Sequence, residues 1–274
     1  MRAPETTVVD AQQRALSDLG ELWRYRDLLF FMVWRDVKSR YAQSVLGIGW
    51  AVIQPLFTML VFTVVFGNLA KIDSDGQPYA IFSFAALVPW TYFSGALGEA
   101  AGSLVSSASL MTKVYFPRLI IPVASVVGKL IDLLIAGAVL AGLLVFFRAE
   151  VQPTVLLLPA LVLLMAITAL GAGLWLTPLA VQYRDVKHLV PFGIQLLMYA
   201  SPIVYPLSLV PERFRLAYSL NPMVGVVEGF RAALLGTRPM PWPELGLGTA
   251  TAAALLLSGY VYFRRADRHF ADVA

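Results

Sequence analysis

Residues 41–70, YAQSVLGIGWAVIQPLFTMLVFTVVFGNLA, run from Arg40 to Lys71 without one side chain ionised at neutral pH. A helix rises about 1.5 Å per residue and the hydrocarbon core of a bilayer is about 30 Å thick, so roughly 20 apolar residues suffice to cross it. This stretch is long enough, and it decides the fold class: a membrane-embedded chain. The same emptiness recurs between Asp75 and Glu99, Glu150 and Arg184, Lys187 and Glu212, and Glu244 and Arg264. A sixth apolar stretch, Leu119 to Phe147, is interrupted only by Lys129 and Asp132.

Composition agrees. With 58% hydrophobic and 14% charged residues and a mean hydropathy of +0.72, the chain is far from the balance of a soluble globular domain. The spans are expected at about 43–70, 79–102, 119–147, 153–180, 189–208 and 244–263. Six spans in 274 residues leave little for a water-soluble domain. A single transmembrane domain over 1–274 is expected: a flexible N-terminus (1–21), an interfacial helix (22–41), a membrane core (43–263) and a cytoplasmic tail (264–274). The first 20 residues lack the apolar core of a signal peptide. Cysteine is absent, which excludes disulfides and thiolate metal sites. The basic residues flank apolar spans instead of forming one patch with interleaved aromatics, which argues against nucleic acid and for a membrane surface.

Topology follows from the Lys and Arg distribution. With a cytoplasmic N-terminus, fourteen fall in inside segments and six outside, with Lys129 within a span. Both termini are then cytoplasmic, which requires an even number of spans.

Two segments outside the spans stand out. In Leu22 to Tyr41, Arg24, Asp27, Arg35 and Lys38 share one side at helical spacing while Phe30, Trp34, Val37 and Tyr41 gather on another. This fits a helix lying in the membrane interface, with Arg26 and Arg40 snorkelling; a simple topogenic anchor is the plainer alternative. The stretch between the fifth and sixth spans is too apolar for a solvated loop and too broken by Pro202, Pro206, Pro211 and Pro222 for one spanning helix. It is expected to dip into the membrane as re-entrant helices, where turning backbone must be shielded by protein or line a wet cavity. Asn221 and Pro222 read as a helix start. Glu228 and Arg231, three apart on one face, are candidates for an outer gate or for a self-neutralising pair.

Catalytic signatures are missing from the sequence: no GxxxxGK[ST] phosphate loop, no HExxH and no GxSxG elbow. His188 and His269 both read as surface residues. No catalytic residue, metal or cofactor is therefore assigned to this chain. Lys129 and Asp132 form the one ionisable pair read within a span; their spacing lets them neutralise each other, and a structural pair is favoured over an ion pathway.

Six blocks, taken in order, carry a resemblance. They are RDVKSRYAQSVLGIGWAVIQPLFTMLVFTVVFG (35–67), FAALVPWTYFSGAL (84–97), SLMTKVYFPRLIIPVAS (109–125), YRDVKHLVPF (183–192), SPIVYPLSLVPERFR (201–215) and LNPMVGVVEGFRAALLG (220–236). Together they resemble the permease subunits of ABC exporters for cell-surface polysaccharides, nearest the branch that handles lipid-linked O-antigen and teichoic acid. The resemblance covers nearly the whole chain after about residue 20.

It implies an all-α permease with six spans, an interfacial N-terminal helix and re-entrant helices before the last span, in a bacterial inner membrane. It also implies a homodimer with two separate ATP-binding cassette subunits that hold ATP and Mg. The substrate implied is an undecaprenyl-pyrophosphate-linked glycan, most nearly O-antigen; teichoic acid, capsule, drug or lipid export are the alternatives within the class. The family's motor contact falls near Ser106 to Phe116, placing Ser109, Lys113, Tyr115, Phe116 and Arg118 there. Arg24, Arg26, Arg35, Lys38 and Arg40 are placed to meet the pyrophosphate, with attraction to anionic membrane lipid as the competing role. A sliding sugar chain favours weak, repeated stacking on aromatic faces, for which Trp50, Phe57, Phe84, Trp90, Tyr92, Phe93, Tyr199 and Tyr205 are candidates. About half of these are expected to be core or lipid belt instead. A motor-independent secondary transporter should show broken helices in both halves. An intramembrane glycosyltransferase or phosphotransferase should show clustered catalytic groups at one face. Neither pattern is read here.

Overall fold

The computed structural model describes residues 20, 23–42, 49–111 and 116–273, with side chains to residue 268. The expected flexible segment and the first residues of the first span, 43–48, fall largely outside these. Among the described residues the chain is helical, with no strand.

The first helix, α1 (Arg26–Ala42), precedes α2 (Gly49–Phe62), which continues as a π-helix through Thr63–Leu69. After a turn come α3 (Tyr79–Ser106) and the one-turn α4 (Ala108–Met111). Next are α5 (Ile120–Gly128) and α6 (Leu130–Phe146), nearly continuous across Lys129. A 3-10 turn at Pro153–Leu157 leads into α7 (Leu158–Gln182), followed by α8 (Val186–Tyr199). Then come the short α9 (Glu212–Tyr218), α10 (Pro222–Leu235) and the long α11 (Trp242–Val273).

Five stretches are long and apolar enough to cross a membrane: Gly49–Leu69, Tyr79–Ser106, Ile120–Phe146, Pro153–Gln182 and Trp242–Arg268. The chain is a multi-pass membrane protein. The expected span 189–208 is not among these five: its helix stops at Tyr199, and its 14 residues reach about 21 Å of a bilayer core of about 30 Å, so irregular chain makes up the rest of that segment. The stop has a local cause. Pro202 and Pro206 have no amide hydrogen to give a helix, and residues 201–204 are instead buried as irregular chain.

The centre of the bundle is α3, which packs against α2, α5, α6, α7, α8 and α10. Its small residues Ala85, Ala86, Ala96, Ala100 and Ala101 are all buried, and small side chains let helices approach closely in a membrane. Hydroxyls on these helices are satisfied locally. Ser103 donates to Ala100 O at 2.7 Å, and Thr177 Oγ1 lies 2.7 Å from Gly173 O and 2.8 Å from Ala100 O.

The tightest approach joins α7 to α11. A Cβ on Gly259 would stand 2.5 Å from Gly171 O, and one on Gly171 would stand 2.7 Å from the backbone nitrogen of Leu256. Beside this crossing Trp175 stacks on Tyr262 at 4.5 Å, and its indole N–H donates to Ser258 Oγ.

On α1 a second apolar face packs on the bundle. Met32 is buried, with Tyr25, Leu28, Leu29 and Val33, against Phe116, Leu119, Ile120 and Phe263. Phe30 and Trp34, on the apolar side read as lying in the membrane interface, are 71% and 58% exposed. A helix between protein and bilayer needs two apolar faces, and the aromatic one is left for lipid.

Because backbone atoms at the Gly171 crossing cannot give way, Gly171→Val is expected to lower stability by about 1–3 kcal/mol. Gly102, where an added Cβ meets nothing within 4 Å, should accept alanine without loss. Thermal unfolding of the detergent-solubilised variants checks both.

Candidate functional site

Three clusters of polar side chains lie in this apolar body. The first sits towards the end of the bundle that carries α1, here the basic end. Arg40 on α1 places Nη2 2.7 Å from Glu99 Oε2 on α3 and Nη1 3.2 Å from both carboxylate oxygens of Asp132 on α6. Lys129 Nζ lies 2.8 Å from Glu99 Oε1 and 3.0 Å from Asp132 Oδ2. Two cations and two carboxylates thus form a closed, neutral ring in which each cation touches both acids. The Tyr41 hydroxyl donates to Asp132 Oδ1. Its pKa is pushed up to about 12, by burial first and then by Asp132, so it stays a donor. Burial alone would lower the Arg40 pKa, but Glu99 and Asp132 outweigh it and hold the guanidinium above its ordinary value.

The Lys129–Asp132 pair read from the sequence is therefore half of a larger network tying α1, α3 and the α5–α6 junction together. Arg40, placed in the pyrophosphate-binding set, is neutralised by this network instead of being offered to a ligand. Arg35 is also committed, with Nη2 2.8 Å from Asp36 Oδ1. Arg26 is mostly exposed and only loosely near Asp27 at 3.9 Å, while Arg24 and Lys38 are exposed. The five cations read as one set are split into committed and uncommitted members.

The second cluster centres on Arg231 of α10, 2% exposed, and Glu228, 5% exposed. Arg231 Nη1 donates to Glu228 Oε1 (2.9 Å), Pro202 O (2.6 Å) and Tyr205 O (3.4 Å); Nη2 donates to Ile203 O (2.8 Å) and Nε to Phe82 O (3.3 Å). The guanidinium also lies 3.6 Å from the centroid of the Phe82 ring. Glu228 accepts from Leu207 N. Neighbouring groups complete the set: Tyr79 donates its hydroxyl to Val204 O, and Asn221 Nδ2 donates to Ala200 O and Ser201 Oγ. The outer-gate reading of Glu228 and Arg231 is corrected by this geometry. The pair is enclosed, and it clamps the irregular chain that follows α8 by taking up the carbonyls of Pro202, Ile203 and Tyr205 and the amide of Leu207.

Asn221 also caps α10 as expected, accepting from Met223 N with Pro222 following at the first helical position. Gly236 ends that helix with φ 64°, a left-handed conformation that suits glycine.

The third group is the expected motor contact. Ser109 lies on α4, and Lys113 and Tyr115 are outside the described residues. Phe116 is buried and Arg118 Nη1 pairs with Asp267 Oδ1 on α11 at 3.0 Å, so these two anchor the segment to the bundle from within. At the opposite end Arg238 pairs bidentately with Asp75 at 2.8 and 2.9 Å, closing the α2–α3 turn onto the α10–α11 connection.

The aromatic set divides too. Phe84, Trp90, Tyr92 and Phe93 are buried core residues of α3, with exposures between 0 and 4%; the glycan-path reading of these four is corrected, because the central helix packs them against its own neighbours. Trp50, Phe57 and Tyr199 are exposed, and Tyr205 is half-buried. Tyr205 shares a hydrogen bond with Tyr218 and donates to Tyr199 O.

The profile of the ABC-2 type transporter family matches residues 27–235, from α1 through the clamp helix α10. The chain belongs to the ABC-2 type transporter family. It is 32% identical over 92% of its length to the O-antigen export system permease protein RfbA of Myxococcus xanthus, covering 97% of that protein. It is 25% identical to RfbA of Klebsiella pneumoniae, over 93% of this chain and 97% of that one. It is 24% identical to the polysialic acid transport protein KpsM of Escherichia coli, over 73% of this chain and 78% of that one. Both charge clusters lie within the segment matched to the ABC-2 family, while Asp267 lies beyond it.

Several partners in these clusters escaped the sequence reading. Glu99 gave a signal, as a lone acid within the expected span 79–102 that must find a cation. The bonds to Phe82, Pro202, Ile203 and Tyr205 use carbonyls, which carry no mark in a sequence.

Replacing Arg231 by Met leaves Glu228 without its cation and the carbonyls of Pro202, Ile203 and Tyr205 without this donor, and is expected to cost about 3–5 kcal/mol. Arg231→Lys should recover little, since an ammonium lacks the planar fork. Thermal unfolding and expression of membrane-inserted protein read both outcomes.

Proposed function

We propose that this chain is the transmembrane subunit of an ATP-driven exporter that moves a lipid-linked polysaccharide, O-antigen before other glycans, from the cytoplasmic to the outer side of the inner membrane. The observation that carries the proposal is the near full-length similarity to RfbA of Myxococcus xanthus. Similarity to KpsM supports polysaccharide as the broader substrate class and keeps capsule export as the second reading.

In this reading two copies pair, and two separate ATP-binding cassette subunits hold ATP and Mg and supply the work. Both termini face the cytoplasm, in line with the Lys and Arg bias. The basic end then faces the motor, with α4 and residues 112–115 at the contact. Phe116 and Arg118 act as the fixed root of that contact, transmitting its displacement to α11 through Asp267. The apolar faces that one chain leaves open support pairing: Trp50 and Phe57 on α2, and Phe192, Leu196 and Tyr199 on α8, are all more than half exposed. Of the aromatics read as a sugar path, Trp50, Phe57, Tyr199 and Tyr205 remain positioned for a passage between copies. Stacking on such faces binds sugar rings without fixing one geometry, which suits a polymer that must slide.

Native mass spectrometry of the gently extracted protein tests the assembly: two copies with two ATP-binding subunits are expected, and a lone chain or bare homodimer would count against the exporter class. Deletion of the chain should abolish surface O-antigen while lipid-linked glycan accumulates inside. At the contact, Lys113→Glu is expected to reduce co-purified ATP-binding subunit about tenfold, equivalent to about 1.4 kcal/mol, with membrane insertion unchanged. Undiminished co-purification would remove Lys113 from the docking surface.

A further inference from the structure

A cavity of about 810 Å³ runs between α3 and α8 at the basic end. Its volume lies within the range of small-molecule sites, roughly 300–1,000 Å³. Its walls are sharply divided. The body is lined by Gly98, Gly102, Val186, Val190 and Ile194, and the mouth by Arg184 and Lys187. Both cations are exposed, and neither has an ion-pair partner among the described residues. Asp185, between them in sequence, is not a lining residue.

The slot is open because side chains are missing from its floor. A Cβ on Gly102 would meet nothing within 4 Å, and one on Gly98 would meet only Ile194 Cδ1 at 3.8 Å. The lining residues of α3 extend from Ser94 to Ser106, about 18 Å at 1.5 Å per residue. That is close to the depth of one leaflet, half of a hydrocarbon core of about 30 Å. An apolar trough one leaflet deep, opening beside two unpaired cations, is complementary to an amphiphile with an anionic head and a long apolar tail.

A second cavity, of about 610 Å³, lies on the other side of the same Gly98–Gly102–Ser106 edge, beside α1. Its charged lining is already balanced: Arg35 pairs with Asp36, and Arg40 with Glu99 and Asp132. It offers hydroxyls and closed ion pairs to a ligand, and no uncompensated positive charge. The two cavities share an edge and differ in chemistry, and only the α3–α8 slot fits an anionic lipid.

We propose that the α3–α8 slot binds a single lipid phosphate, its head held by Arg184 and Lys187 and its apolar chain lying along Gly98 and Gly102. The inference deepens the export reading and rests on it only for the identity of the lipid. A polyprenyl phosphate carrier and an anionic phospholipid share this chemistry, and the test separates them.

The purified full-length protein is incubated with polyprenyl monophosphate, phosphatidylglycerol, phosphatidylcholine or inorganic pyrophosphate, and retained lipid is counted by native mass spectrometry. Wild-type protein is expected to retain polyprenyl phosphate or phosphatidylglycerol over phosphatidylcholine; the preferred one names the source. Gly102→Leu, which fills open space, and the paired change Arg184→Gln with Lys187→Gln should each reduce retention at least about tenfold, the second without touching the packed interior. Gly137→Leu, on α6 where an added Cβ also meets nothing within 4 Å, should leave retention unchanged. Equal retention of phosphatidylcholine, competition by inorganic pyrophosphate alone, or retention unaffected by either slot change would overturn the proposal. Capture of the ATP-binding subunit by the same preparations reports on the export reading separately, so the slot and the exporter assignment can fail independently.

Discussion

One guanidinium makes this bundle possible. Residues 201–207 run through an apolar body without a long helix and are mostly buried, where an unpaired backbone group is costly. Arg231 supplies Phe82, Pro202, Ile203 and Tyr205 from one side chain. Few residues could do this. The guanidinium is planar, permanently charged and carries five N–H donors in a fixed fork. Its own burial is made tolerable by Glu228 beneath it and the Phe82 ring against its face. The wholly buried helix α10 is thereby locked to α3 and to the broken segment at once.

The charge ring works differently. Its members keep between 15% and 37% of their side-chain surface, so each ion pair is partly screened. What the ring adds is selectivity of partner: α1, whose apolar faces look both to lipid and to protein, is registered against α3 and α6 by Arg40 and Tyr41. A greasy helix alone could slide along the bundle. One carrying a cation that must meet both Glu99 and Asp132 cannot.

The membrane fold was legible because charge dominates the free energy of transfer into lipid, so gaps between ionised residues mark spans without help from packing. Helix length within a gap was less legible. The gap from Lys187 to Glu212 is uncharged throughout, yet Pro202 and Pro206 end the helix, and those prolines were visible. Asn221 and Pro222 were read correctly because a cap is a local device. Arg231 and Glu228 were noticed as a pair, but their role depends on chain between 21 and 149 residues away, beyond any local pattern. The aromatics show the same limit. Periodicity says that Phe84, Tyr92 and Trp50 are apolar, and it cannot say which will be core and which will face outward, because membrane, sugar and protein interior all accept an aromatic ring.

These interactions also divide the molecule by how firmly its parts are held. In the spanning window of α3, 78% of residues are buried, against 17% in that of α2 and its π-helical continuation. The α3, α7, α10 and α11 group is fastened by glycine contacts and the arginine clamp, and a gap of roughly 0.5–1 Å already forfeits a quarter to a half of a close packing contact. The elements α1, α2 and α8 bury few side chains of their own, Met32 in the first, Pro55 and Met59 in the second, and Val186 and Val190 in the third, and α1 is also held through ion pairs that can reform after displacement. Elements that move during function are drawn from the weakly held part of a structure. By that criterion α1, α2 and α8 are the elements freest to shift, while α3 and the wholly buried α10 are the most firmly held. The segment at Phe116 and Arg118 joins both parts, since Phe116 packs under α1 while Arg118 grips α11.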